Sequence, residues 1–215
     1  MSVLARRTYL AADCRRQQIL DCALEVFARR GFHAASVADI CARARIARPT
    51  LYQYFRDKRD VLVALADRIA RRVIDAAERW PRLELVAGAL PTREQGLALI
   101  EARCAAALEA VFVDRDTARL VLRVSRGSDG LVDATLRQID DRLLALIEGD
   151  LRAALAAGAI RPCDPAVVAR FILGGIEKVV LDTLDHDLPL DVGGIARATV
   201  SLASLGLFHR DQENT

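Results

Sequence analysis

Between Arg45 and Lys58 the chain reads RIARPTLYQYFRDK, and these side chains suit hydrogen bonding and charge pairing with a polyanion. Arg48 carries a planar fork of donors that matches a guanine edge, while Pro49 and Thr50 can meet a thymine methyl. Tyr52, Gln53 and Tyr54 add hydrogen-bonding groups, and Arg45 and Lys58 add cations suited to phosphate. Catalytic groupings are not found. His33, His186 and His209 are scattered, and HExxH, GxSxG and a glycine-rich phosphate loop are all missing. The carboxylate pairs Asp140-Asp141 and Asp114/Asp116 lie in charged helical stretches, where a solvated surface is the plainer reading. An enzyme is therefore not expected, nor is a cofactor.

The five cysteines, Cys14, Cys22, Cys41, Cys104 and Cys163, form no CxxC pair, so neither a disulfide framework nor a metal site is expected. Cys22 and Cys41 fall on apolar helix faces as small core residues. A redox role for Cys104 or Cys163 is the rarer alternative to a buried structural thiol. The net charge of +2 hides a segregation. Residues 1–60 hold 12 Lys/Arg against 6 Asp/Glu, a net +6, which leaves −4 for the remainder. A basic end on a mildly acidic body points to a nucleic-acid partner for the first part alone.

These groups need helices to place them. Hydrophobic content is 53%, with six prolines and few aromatics, as expected of an all-α protein. No apolar run is long enough to span a membrane and no secretory leader is evident, so the cytoplasm is the expected compartment. Residues 1–13 read as a mobile basic arm, with the first helix starting after Asp13. Ile19, Ala23, Val26 and Phe27 form its core stripe, and Gly31 closes it. Ser36 and Asp39 form a box-like start for a short helix with Val37, Ile40, Cys41 and Ala44 on one face. Arg45-Ile46-Ala47 leaves room only for a turn. The next helix begins near Arg48, with Pro49 in its first turn and Leu51 and Phe55 inward. Two short helices joined by a tight turn, with a polar and aromatic outer face on the second, make a helix-turn-helix, whose second helix enters a major groove. Asp57 caps a fourth helix that runs to about Arg79 and can transmit motion. Lys58 and Arg59 in its first turn oppose the helix dipole, which a docked phosphate would explain.

Residues 1–61 are thus expected to form a DNA-binding domain, and residues 62–215 a helical domain that binds an effector and dimerises. Helices are expected over 93–112, 114–125, 131–157, 165–184 and 191–208. The last two carry small residues, Gly174-Gly175, Ala198, Ser201, Ala203 and Ser204, that permit close approach of a second copy, predicting a homodimer through them. Arg103, Cys104, Phe112, Arg123, Arg126, Phe171 and Glu177, which are polar or aromatic groups in apolar helices, are the candidate ligand-binding residues.

The Phe27…Gly31-Phe32 helix end, Ser36-Val37-Ala38-Asp39-Ile40, and above all Thr50-Leu51-Tyr52-Gln53-Tyr54-Phe55-Arg56-Asp57-Lys58 identify a resemblance. Residues 14–65 resemble the DNA-binding domain of TetR-family transcriptional regulators, and the stretch from Leu155 to Gly175 is similar in a less diagnostic way. The resemblance implies a homodimer that binds a palindromic double-stranded DNA operator, most often as a repressor released by a small effector. It implies that Arg48, Pro49, Thr50 and Tyr52 face the groove, and that Ser36 or Val37, Tyr54 and Lys58 approach the backbone. Two positions depart from the pattern: Arg45 stands where glycine is usual, and Ala47 where serine or threonine is usual. Losing that cap costs about 1 kcal/mol of helix stability, which phosphate contacts from Arg45 and Arg48 can recover on DNA. An apolar pocket lining favours a hydrophobic effector whose identity the sequence does not reveal. The competing reading is a helical adaptor or ligand-binding protein whose helix-turn-helix does not read DNA. The basic first domain argues against it.

Overall fold

In the computed structural model, residues 3–79, 92–125, 130–189 and 191–207 are described, and all their regular structure is helical. The helices are α1 (Val3–Arg30), α2 (Val37–Ala44), α3 (Arg48–Tyr52), α4 (Lys58–Glu78), α5 (Arg93–Phe112), α6 (Arg115–Ser125), α7 (Gly130–Ala156), α8 (Pro165–Asp185) and α9 (Val192–Leu207). Residues 80–91 lie outside the described residues, and Thr92 caps α5 through Gln95. The first helix starts earlier than the sequence suggested. The backbone is already helical at Val3, in place of a mobile arm to residue 13, as fits a segment rich in Leu, Ala and Arg with no glycine or proline.

The chain divides into two compact units. The first comprises residues 1–68 and 116–135, and the second residues 69–115 and 136–215. The first therefore takes in residues 62–68 and 116–135, which the sequence reading assigned to the second domain. The division falls inside α4, after Arg68.

In the first unit, α1 packs on α2. Ile19, Leu20, Ala23 and Phe27 of α1, Ile40 of α2, Leu51 of α3, and Val61, Leu62 and Leu65 of α4 are buried, with water almost excluded from their side chains. Gly31 closes α1 at a positive φ of 75°, and Phe32 turns back so that its ring meets Phe27 edge-on at 5.3 Å. In the second unit, α5 packs on α9, and Leu151, Ile160 and Ala169 centre a further cluster that also packs Cys163. Gly158, at φ 67°, ends the turn after α7, and Asp164 caps α8 through the amides of Ala166 and Val167. Within the described residues, no helix is long and apolar enough to cross a membrane.

Candidate nucleic-acid interface

The short helices are set by their ends. Ser36 Oγ accepts from the Asp39 amide at 3.2 Å, and Asp39 Oδ2 accepts from the Ser36 amide at 3.0 Å, a complete capping box on α2. The Ser36 hydroxyl also donates to Asp39 at 2.7 Å, and Arg30 pairs with the same carboxylate at 2.8 Å. The Ser36 hydrogen bonds, and then Arg30, hold the Asp39 carboxyl below its ordinary range. Ser36, a candidate DNA contact, thus already uses its hydroxyl as a cap. Val37 is half-buried beside it.

At the other end of α2, Arg45 adopts φ 53° and ψ 46°, the left-handed region. Its amide bonds Ala42 O at 3.3 Å and the Ile46 amide bonds Cys41 O at 3.0 Å, the paired closure of a Schellman turn. The turn thus keeps the glycine conformation without the glycine. Ala47 begins α3 with no side-chain cap, and Pro49 fills the first turn where no amide is needed. Leu51 and Phe55 are buried and anchor the helix, which turns Arg48, Pro49, Tyr52 and Gln53 outward. Tyr52 is 53% exposed, a large aromatic surface in water. Thr50 and Tyr54 are half-buried.

Lys58 is placed differently from expectation. Its ammonium donates to the carbonyls of Phe32, His33 and Ala35 at 2.9, 2.8 and 2.8 Å and lies 5.0 Å from the Phe32 ring centroid. Three donors meet three acceptors, so the cation in the first turn of α4 is explained by the α1–α2 loop without a phosphate. Asp57 caps α4 by accepting from the Asp60 amide at 2.8 Å. Asp60 accepts from the amide and guanidinium of Arg56, which hold its carboxyl below the ordinary range. Arg68 was not foreseen as a positioning residue. It donates to Asp21 on α1 at 2.8 Å and to Thr117 on α6 at 3.0 Å, tying three helices of the first unit. A long cation among the apolar residues of α4 was the available signal.

The candidate ligand residues do not share one environment. Arg103 is buried against Asp150 of α7 in an ion pair, so its charge is already answered within the fold. Cys104 is half-buried, and desolvation pushes its thiol up to about 11, which keeps it protonated and unreactive near neutrality. Phe112 is buried and lies under the Arg115 guanidinium, 5.7 Å from its ring centroid. Phe171, expected on a pocket wall, is 78% exposed, because Ala169, Leu173 and Val180 take the buried side of α8. Arg123 and Glu177 are exposed, and Arg126 lies outside the described residues. The Asp140 carboxyl is half-buried rather than solvated. Burial pushes it up, against a hydrogen bond with Glu177, while Asp141 beside it is exposed.

Comparison with known proteins follows the same division. Residues 19–65 match the family model described as bacterial regulatory proteins, tetR family. The transcriptional regulator SrpR of Pseudomonas putida is 31% identical over 160 residues, spanning 73% of this chain and 68% of that protein. The transcriptional activator FasR of Mycolicibacterium smegmatis is 27% identical over 212 residues, spanning 95% of this chain and 88% of that protein. The crystal structure of the regulator FadR from Bacillus subtilis with stearoyl-CoA superposes with a TM-score of 0.68 at 20% identity, covering 87% of this chain and 96% of that one, and supports the fold.

Proposed function

The chain belongs to the TetR family of bacterial regulatory proteins, and on that premise we propose that it is a repressor released from a palindromic DNA site by a small apolar ligand. It is a DNA-binding transcriptional regulator, and the reading face is α3. The observation that carries the reading is a short helix held by two buried anchors, Leu51 and Phe55, that turns Arg48, Pro49, Tyr52 and Gln53 into solvent with no hydrogen bond or ion pair to the Arg48 guanidinium. A helix so presented, after a Schellman turn, supplies a two-pronged donor for guanine at its N-terminal end, where a recognition helix meets base edges.

A homodimer is favoured by the outer faces of α8 and α9. Phe171 and Leu202 are 78% and 76% exposed. Beside Phe171 on α8, Gly174 and Gly175 leave open space where a β-carbon would stand, and Ala198 and Ser201 are exposed on α9. Twofold pairing places two recognition helices on half-sites about 34–36 Å apart. An apolar part to the effector is supported by the second unit's hydrophobic helices and by the acyl chain of the stearoyl-CoA held by the structural relative. Repression is the commoner habit of the family, whereas FasR is an activator. Such a protein works in the cytoplasm, beside the chromosome.

The test is selection of genomic DNA fragments by the purified protein, followed by mobility shifts on the selected duplex. Palindromic fragments and salt-dependent binding are expected. Arg48→Ala should cost roughly 1–3 kcal/mol on the selected site and relax one base position. Absence of salt-dependent duplex binding sinks the reading in favour of a protein-binding helix-turn-helix.

A further inference from the structure

Arg45 holds a conformation that disfavours it. At φ 53° its β-carbon crowds the following carbonyl, which is why glycine or asparagine ordinarily fills such a position. The turn requires this geometry, because the Arg45 and Ile46 amides close α2 on Ala42 O and Cys41 O. Nothing in the turn requires a long cationic side chain. That side chain is exposed and makes no hydrogen bond, ion pair or ring contact with the protein.

The other arginines nearby show how unusual this is. Arg29 bonds the Glu25 carbonyl, Arg30 pairs with Asp39, Arg43 with Glu25 and Arg56 with Asp60. Between Arg29 and Arg56, all of them described residues, only Arg45 and Arg48 make no hydrogen bond, ion pair or ring contact with the protein. They flank the same turn, one ending α2 and the other starting α3. Lys58, the other cation expected on phosphate, is held by three carbonyls.

We propose that Arg45 is a DNA-backbone contact, a guanidinium left unpaired in the free protein so that it can grip a phosphate, in a turn that would be more stable without it. The inference rests on the DNA-reading function proposed above and deepens it. Phosphate is the expected target because Arg45 lies in the turn, outside the helix that reads the groove, and a guanidinium matches phosphate oxygens with two parallel hydrogen bonds. A residue kept only for stability would give both properties the same sign on replacement. For Arg45 opposite signs are expected.

The experiment compares wild type with Arg45→Gly, Arg45→Asn and Arg45→Lys. Thermal melts followed by circular dichroism report stability, and fluorescence anisotropy reports binding to a selected duplex and to a random-sequence duplex of equal length across a salt series. Arg45→Gly should raise Tm by about 2–4 °C for a chain of this size. It should make the log–log salt slope shallower by about 0.9 per bound subunit, about 8-fold weaker binding per lost contact at 0.1 M salt relative to 1 M. Arg45→Asn, which tolerates the left-handed region, should follow Arg45→Gly on DNA, and Arg45→Lys should retain the slope. The losses should be equal on the two duplexes. Unchanged affinity and slope in Arg45→Gly, with wild type binding normally, overturns this inference alone. A loss confined to the selected duplex overturns it too, because that marks a base contact. If wild type itself shows no salt-dependent duplex binding, the DNA-reading function fails and this inference fails with it.

Discussion

The two units differ in the depth of their most buried ion pair. In the first, cations are answered singly at the surface, as in Arg30–Asp39, Arg43–Glu25 and Arg56–Asp60, where the Arg56 side chain remains 84% exposed. In the second, Arg103 and Asp150 bury one another, with their side chains only 9% and 10% exposed. A surface pair contributes about 0–1 kcal/mol and can exchange its partner for water or phosphate at little cost. A buried pair cannot, because removing one charge strands the other. The second unit carries exposed pairs as well, such as Arg152–Glu148 and Lys178–Asp182, so what sets it apart is the buried Arg103–Asp150 pair.

This contrast can be broken first at Arg103. Arg103→Ala should destabilise the protein by about 3–5 kcal/mol in urea denaturation. Arg103→Met with Asp150→Leu should recover most of the loss. A loss under 1 kcal/mol for the single variant would place the pair with the surface ones. Lys58 sharpens the comparison from the other side, as a first-unit cation that behaves like a structural one. Lys58→Met should cost about 1.5–3 kcal/mol, since its charged hydrogen bonds to three carbonyls are lost. The salt slope of DNA binding should not change, and a slope shallower by about one unit would return Lys58 to phosphate contact.

The smallest effect concerns the Asp39 box. Its carboxyl is held low in the folded chain, so its stabilisation is present above the unfolded value, about 3.9, and is lost as pH falls through the folded one. Asp39→Asn should therefore lower Tm at pH 7, by an amount that shrinks as pH falls below about 3.9. A deficit that stays constant through that fall would show that the box acts through shape and not through charge.

Most of the first unit was legible because its signals are local. Ser36 and Asp39 stand three apart, Gly31 follows two arginines, and Ile40, Cys41 and Ala44 repeat at helical spacing, and each reading matches the fold. The departures at Arg45 and Ala47 were visible as residue types, but the left-handed backbone and the missing cap bond needed coordinates. The carbonyl partners of Lys58 were not legible, for a definite reason. Its three acceptors are carbonyls 23 to 26 residues away, and carbonyls carry no side-chain identity to read. The ligand-site candidates fared worst. Arg103 pairs with a residue 47 positions on, and Phe171 faces outward because the phase of α8 is set by which side packs.

From the sequence alone follow the helical class, the helix-turn-helix and the family, because each depends on spacing within a turn or two of helix. Tertiary structure decided which charges are spent and which are left. Lys58, Arg68 and Arg103 are committed to carbonyls, Asp21 with Thr117, and Asp150, whereas Arg45 and Arg48 are not. That distinction is a property of distance between segments far apart in the chain, and a cation's type does not reveal it.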